Sequence, residues 1–402
     1  MKSRQGVTVL LGVLALGSIL AMTSCGSTVD LTGLGNGAGN TDGTGIGPVA
    51  GFGSVIVNGV KYDDTGIDNT NFFDDHGRTK AQLGAGMMIK ITATGVSDVS
   101  DTGTATKIEV LRHVDGPLDD NGVTLATNRM IVMGQAVVVD TTTVFDNVVV
   151  GSLIDLAAID NLAKSGRRPE LEIHGIADDT GTIHATFIHK GFDNVVTGRD
   201  VQVKGTVAND NAAGKTFTLG TSTVSYATRP SGLGNNVFVE VKGIFRTTDT
   251  TVLAATITVE DPAAGQGAGD QARAEGYVNR IVAEGAQLEL LCADGLQLIN
   301  WSTGTVAFKD GAAADLLAGA RVAVEGKRNL DKTVAAKVIS FRKPSSVRMD
   351  TTVTVPASPP SSLRLFGKTV VKARGIAGSP SMFMTANELQ IQPAIDNGPS
   401  LL

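Results

Sequence analysis

One phrase recurs in this chain and limits what it can fold into. An apolar strand alternates into a glycine, a polar turn follows, and a second strand opens on an alanine with an aliphatic residue three places later. The stretch 239–259, VEVKGIFRTTDTTVLAATITV, carries it in full, with Val239, Val241 and Gly243, then Ala254 and Ile257. Period two on both sides of a polar turn is the pattern of a β-hairpin. Glycine-ending strands stand at 89–95, 171–175, 239–243, 322–326 and 371–375. Their partners open on Ala105/Ile108, Ala185/Ile188, Ala254/Ile257, Ala335/Val338 and Ala386/Leu389. Repetition at this near-constant spacing makes the chain a string of related β units.

Each copy of the phrase follows a shorter hairpin. Asn58-Gly59 sits between two alternating runs, which is the signal of a type I′ turn, and Asp294-Gly295 does the same job. Met133-Gly134 and Leu219-Gly220 hold the equivalent place without the Asn or Asp. Between short hairpin and phrase, 152–164 and 312–318 space their apolar residues as a helix does. The order is then strand, hairpin, short helix, closing hairpin, the order of a five-stranded OB barrel. The expected fold is all-β with one short helix per unit, as tandem small five-stranded OB-like β-barrels in a beads-on-a-string array. The beads span 51–115, 116–200, 201–262 and 273–345, with a Gly/Ala/Pro linker at 263–272. A Pro/Ser linker at 346–362, a partial repeat at 363–392 and a frayed tail at 393–402 complete the chain.

The first 24 residues have the form of a signal peptide. Lys2 and Arg4 precede an apolar run from Val7 to Ala21, short of the roughly 20 residues a spanning helix needs. Ala21-Met22-Thr23-Ser24-Cys25 resembles the lipobox of bacterial lipoproteins, with Met22 where leucine is commonest. The other cysteine, Cys292, lies in an apolar strand, so no disulfide framework accounts for Cys25. Lipidation at Cys25 accounts for it, and acyl chains at about 0.8 kcal/mol per buried CH₂ give a stable anchor. Gly26 after the cysteine implies sorting to the outer membrane in a Gram-negative cell. Residues 25–50 are rich in glycine and are expected to form a flexible tether, reaching roughly 25–30 Å.

The run GFGSVIVNGVKYD from Gly51, followed by V-x-V-x-G and A-T-x-I strands, resembles a bacterial family called domain-of-unknown-function 5666. The resemblance extends over about 51–345. It implies a cell-envelope β protein, often with several such domains after a lipoprotein signal. It brings no agreed activity and no catalytic residues.

Candidate chemistry is sparse. The five histidines are His76, His113, His174, His184 and His189. Strand parity turns His174 and His189 outward and His184 inward, so the three are expected to lie on a solvated strand rather than on a metal. Acidic loops supply hard oxygen ligands suited to calcium. The candidates are Asp63, Asp64, Asp68, Asp74 and Asp75, with Asp115, Asp119-Asp120 and Asp178-Asp179 as further clusters. None has EF-hand spacing, and aspartate is also an ordinary turn residue. No G-x-S-x-G, H-E-x-x-H or phosphate loop occurs. Cys292 alternates with Leu290 and is expected in the core. Trp301, Tyr62, Tyr226 and Tyr277 are expected to fill their own barrels rather than to stack on sugars.

Cleavage of the signal leaves 32 basic residues of the 34 against 40 acidic ones, a net charge of −8. With one Trp and three Tyr, that balance excludes nucleic acid as a partner. The expectation is a lipid-anchored, non-enzymatic outer-membrane lipoprotein, periplasmic or surface-facing, serving as a spacer or binding arm without a cofactor. Its partners would be the membrane and an envelope protein or polysaccharide. The alternative is a calcium-assisted carbohydrate- or protein-binding module.

Overall fold

The computed structural model describes residues 41–342 apart from 52–53, 98–99, 141, 147–154, 195–197, 247–248, 250 and 303. Beyond 342 it gives the backbone of five short strands. The signal peptide, Cys25 and the tail 393–402 lie outside the described residues.

The chain is mostly β, in four units. Unit 1 holds β1 (Thr41–Gly51), β2 (Val55–Val57), β3 (Val60–Asp63), β4 (Phe72–Phe73), β5 (Met88–Ser97) and β6 (Thr102–Val110). Unit 2 holds β7 (Val114–Thr124), β8 (Arg129–Val132), β9 (Gln135–Val138), β10 (Val144–Asp146), α1 (Leu156–Lys164), β11 (Glu170–Ala177) and β12 (Ile183–Lys190). Unit 3 holds β13 (Asp200–Thr206), β14 (Ala208–Asn211), β15 (Thr216–Leu219), β16 (Ser222–Tyr226), β17 (Phe238–Arg246) and β18 (Thr251–Val259). Unit 4 holds β19 (Gln271–Ala283), β20 (Gln287–Cys292), β21 (Gly295–Asn300), β22 (Ala307–Lys309), β23 (Arg321–Arg328) and β24 (Val334–Phe341).

Units 2 and 4 are closed five-stranded barrels. In unit 2 the ladders run β7-β8-β9, then parallel to β12, then through β11 back to β7. In unit 4 the same circuit is β19-β20-β21-β24-β23-β19. Unit 1 follows it as β1-β2-β3-β6-β5-β1. In unit 3 the first strand breaks at Val207, so that β13 pairs with β17 and β14 with β15.

The short hairpins turn as their sequences require. Asn58 and Gly59 have φ of 52° and 83°, the left-handed pair of a type I′ turn. Met133 and Gly134, at 48° and 70°, make the same turn without an Asn or Asp.

The recurrent glycine marks a β-bulge. In units 2, 3 and 4 the register shifts at Gly175, Gly243 and Gly326. A Cβ on Gly243 would lie 2.1 Å from the Leu253 carbonyl oxygen, and one on Gly326 the same distance from that of Ala335. Glycine is therefore a steric requirement of this crossing, and it faces Ala185, Ala254 and, one residue past the expected Ala335, Ala336. Unit 1 departs from the expected alignment, because its matching shift falls at Ala93 opposite Ala105, two residues before Gly95.

Three expectations are corrected. The helix occurs in unit 2, where the Asp155 carboxylate caps the Ala158 N–H and Leu156 and Ile159 are buried. The segment 312–318 instead makes one 3₁₀ turn, Ala313–Asp315, too short between Gly311 and Gly319 to nucleate a helix. Among the described residues α1 is the one α-helix, and none is long and apolar enough to cross a membrane.

Secondly, the expected tether to Ala50 is a strand from Thr41. A Cβ on Gly43 would meet Gln271, one on Gly45 the Tyr62 hydroxyl and one on Gly47 the Asn58 amide, all within 3 Å. Those glycines allow close approach; they are not there for flexibility.

Thirdly, the units are not strung in a row. β1 pairs in parallel with β19, joining units 1 and 4 in a twelve-stranded sheet, and β7 pairs with β13 to join units 2 and 3 in another. One apolar core runs through units 2 and 3, and units 1 and 4 have their own. Ile46, Met88, Ile176, Tyr277 and Ala293 form a small cluster where units 1, 2 and 4 meet. The expected linker 263–272 is docked, since Gln266 accepts from Arg328 and Gln271 already belongs to β19.

Past Arg342, β25 (Thr351–Thr352), β26 (Ser362–Leu365), β27 (Lys368–Val371), β28 (Ser381–Met384) and β29 (Glu388–Gln392) have ladders only with one another among the described residues.

Candidate functional site

The richest gathering of ionisable side chains lies on the outer face of the sheet shared by units 2 and 3. In β11, alternation sends Leu171 and Ile173 into the barrel and Glu170, Glu172 and His174 outward. Strand register then sets a polar row across five strands. His189, Glu172, Asp115, Gln202 and Lys242 stand opposite one another on β12, β11, β7, β13 and β17.

Unit 1 lays one loop along this row. Only Leu111, Arg112 and His113 connect β6 to β7, so unit 1 folds back onto its neighbour. Asp75 meets Lys242 at 2.7 Å, His76 meets Asp115 at 2.9 Å, and Arg78 holds both oxygens of Glu172 at 2.5 and 2.6 Å. Arg112, 1% exposed, joins the two sides by pairing with Asp74 and, at 2.9 Å, with Glu172. Asp74 in turn accepts the backbone N–H of Arg78, which fixes the loop.

Glu172 is the hub. Burial alone would raise its pKa, but hydrogen bonds from His174 and Arg78 and the charge of Arg112 hold its carboxyl far below the usual range. His174 is held below the histidine range by burial, against the pull of Glu172. The geometry agrees that this ring is neutral, because Nδ1 accepts the Met88 N–H while Nε2 lies 2.7 Å from Glu172. Burial and nearby Lys204 push His113 down to about 3, against a backbone hydrogen bond at Gly175. Lys204, itself 3% exposed, is kept charged by Glu260 at 2.9 Å and Glu240 at 3.1 Å.

The three histidines of β11 and β12 thus meet different fates. His174 does point out of its barrel, yet it is fully buried, because unit 1 covers that face. His184 bonds Asp178 and stacks on Tyr277 of unit 4, and His189 bonds Asp146. Each of these three bonds a different carboxylate. No group of three or more metal-ligating side chains occurs among the described residues.

The acidic loops are engaged one by one. Asp63 accepts from the Thr65 N–H, Asp68 from Thr70, and Asp64 lies 3.4 Å from Lys80. Asp74 and Asp75 belong to the loop on the polar row. Asp119 accepts from Gly134, and Asp120 lies 3.4 Å from Arg168. In the closing hairpins Asp178, Asp249 and Asp331 each accept the N–H of a threonine two residues on, which makes them turn formers. Millimolar calcium is therefore expected to leave the melting temperature unchanged within about 1 °C, since a ligand selective for the folded form must raise it. A rise of several degrees would restore the calcium reading.

The expected core residues are interior. Tyr62, Tyr226, Tyr277 and Trp301 are all buried, with Tyr277 in the junction between units rather than inside a barrel. Cys292 is buried, and burial raises its thiol well above the ordinary range. A cavity of about 10 Å³ beside it, lined by Gln297 and Arg328 among others, has room for one water molecule.

Sequence reasoning missed Arg112, Lys204 and Glu172. For Lys204 and Glu172 a charged residue in an otherwise apolar strand was the available signal, and it says nothing about what lies outside the barrel. A family model described as a domain of unknown function (DUF5666) matches residues 115–189 and 275–340. These stretches fall in units 2 and 4, so the chain is similar to that family in two separate places. The run from Gly51 that suggested the resemblance lies outside both. No curated protein matches the chain.

Proposed function

We propose that this chain is a non-enzymatic cell-envelope protein whose OB-like barrels are clamped into one block, which acts as a spacer or scaffold arm on a lipid anchor. The circuit of strands one, two, three, five and four, with the third and fifth parallel, supports the OB reading. The lipobox at Cys25 supports the anchor. One observation carries the rest. The loop 74–78 spends its charges on the sheet of units 2 and 3, so the richest ionisable cluster is a fastening.

Small-angle scattering tests the block. The four units, residues 41–342, would as one block have a radius of gyration of about 19 Å, whereas a loose string of four barrels would give about 30 Å. A value near the second would overturn the clamped arrangement. For the anchor, Cys25→Ala is expected to release the protein from membranes into the soluble fraction. Unchanged retention would remove the lipid from the proposal.

A further inference from the structure

One bond between units can be made only by an uncharged ring. The backbone N–H of Met88, at the start of β5 in unit 1, donates to Nδ1 of His174 on β11 of unit 2 at 3.2 Å. With Nε2 committed to Glu172 at 2.7 Å, the ring carries its proton there and keeps its lone pair for Met88. A second proton on Nδ1 would set donor against donor.

The surroundings give an imidazolium little support. His174 is fully buried, with the ring of Phe187 from β12 nearly perpendicular to it at 5.3 Å between ring centres. The charged groups that face it are Glu172 on its own strand, Arg78 from the unit 1 loop and Arg112 from the connection. The Asp74 carboxylate pairs with Arg112, and His76 stands 3.9 Å from the far oxygen of Glu172. Glu172 already serves two guanidinium groups, so a third positive charge has no carboxylate of its own.

We propose that His174 is a proton-operated latch, in which a proton on Nδ1 breaks the bond to Met88 and frees unit 1 from the face of β11 while each barrel keeps its own ladders. The sign follows from the ring's depressed pKa in the closed form. The closed contact is fully stable above the free-histidine value, near 6.5, and weakens as pH falls below it.

Amide hydrogen exchange on the full mature chain tests this. Between pH 7 and 4.5 the Met88 amide is expected to lose protection, about tenfold per pH unit once opening begins, as for uptake of one proton. The Val241 amide, inside the unit 3 ladder, is expected to stay protected, and Met88 protection to return at pH 7. In His174→Gln, which cannot titrate, Met88 should remain protected throughout. Should that variant not fold at pH 7, nitrogen shifts of labelled histidine in the natural chain decide. Protonation of His174 Nδ1 must then coincide with release of Met88. The proposal fails if Met88 and Val241 lose protection together, which is plain acid unfolding. It fails equally if Nδ1 protonates with Met88 still protected, or if His174→Gln releases Met88 with the natural pH dependence.

Discussion

Replacing Glu172 with alanine is expected to cost about 3–5 kcal/mol of stability, the range for removing one partner of a buried ion pair. Arg112 would lose one of its two carboxylates while buried, Arg78 would lose both its hydrogen bonds, and His174 would lose the acceptor of its Nε2 proton. At roughly 2–4 °C per kcal/mol for a chain of this class, the midpoint of thermal unfolding should fall by on the order of 10 °C. Glu172→Gln should lie between, because an amide oxygen still accepts one bond without the charge. The comparison that isolates burial is Arg246→Ala. Its partner Asp249 is half-exposed, and loss of that pair is expected to cost no more than about 1 kcal/mol. Equal effects at the two sites would mean that the cluster is solvated, and the clamp would have to be abandoned.

The second large effect belongs to the bulge. Gly243→Ala places a Cβ 2.1 Å from the Leu253 carbonyl oxygen and 2.9 Å from the Ala254 Cα. Both atoms are backbone in a paired strand, so no side chain can swing aside. Forcing the strands apart is expected to cost about 3 kcal/mol or more, at the upper end for overpacking. Gly166 separates steric from conformational cost. It has φ of +77° with nothing within 4 Å of an added Cβ, so Gly166→Ala should cost about 1–2 kcal/mol. Denaturant melts of both variants decide the matter. If Gly243→Ala proves the milder of the two, the repeated glycine serves the turn rather than the crossing.

That glycine was legible as a repeat before its reason was. Periodicity located the hairpins because alternation and turn chemistry are local. It located α1 because Leu153, Leu156, Ala157 and Leu162 fall near one helical face within ten residues. Met133-Gly134 turned as tightly as Asn58-Gly59 because tertiary pairing, not the intrinsic preference of Met133, holds its positive φ. Two things lay beyond local reading. Glycines at 43, 45 and 47 look alike whether they confer freedom or admit neighbours, and here the neighbours are Gln271, Tyr62 and Asn58. Parity shows that His174 and Glu172 point out of their barrel, but it cannot show that unit 1 will cover them. The polar row was hidden for the same reason, since its members come from five strands and its complement from a sixth segment.

The ladder between β1 and β19 has a consequence in time. Ile46 finds its partner Ala274 only after some two hundred further residues have emerged. At about 5–20 residues per second of synthesis, that interval is on the order of 10 to 50 seconds. Throughout it, one edge of the chain's first described strand is an open template for the wrong partner. Until β19 of unit 4 arrives, that edge of β1 stays open to pairing with any other strand edge it meets.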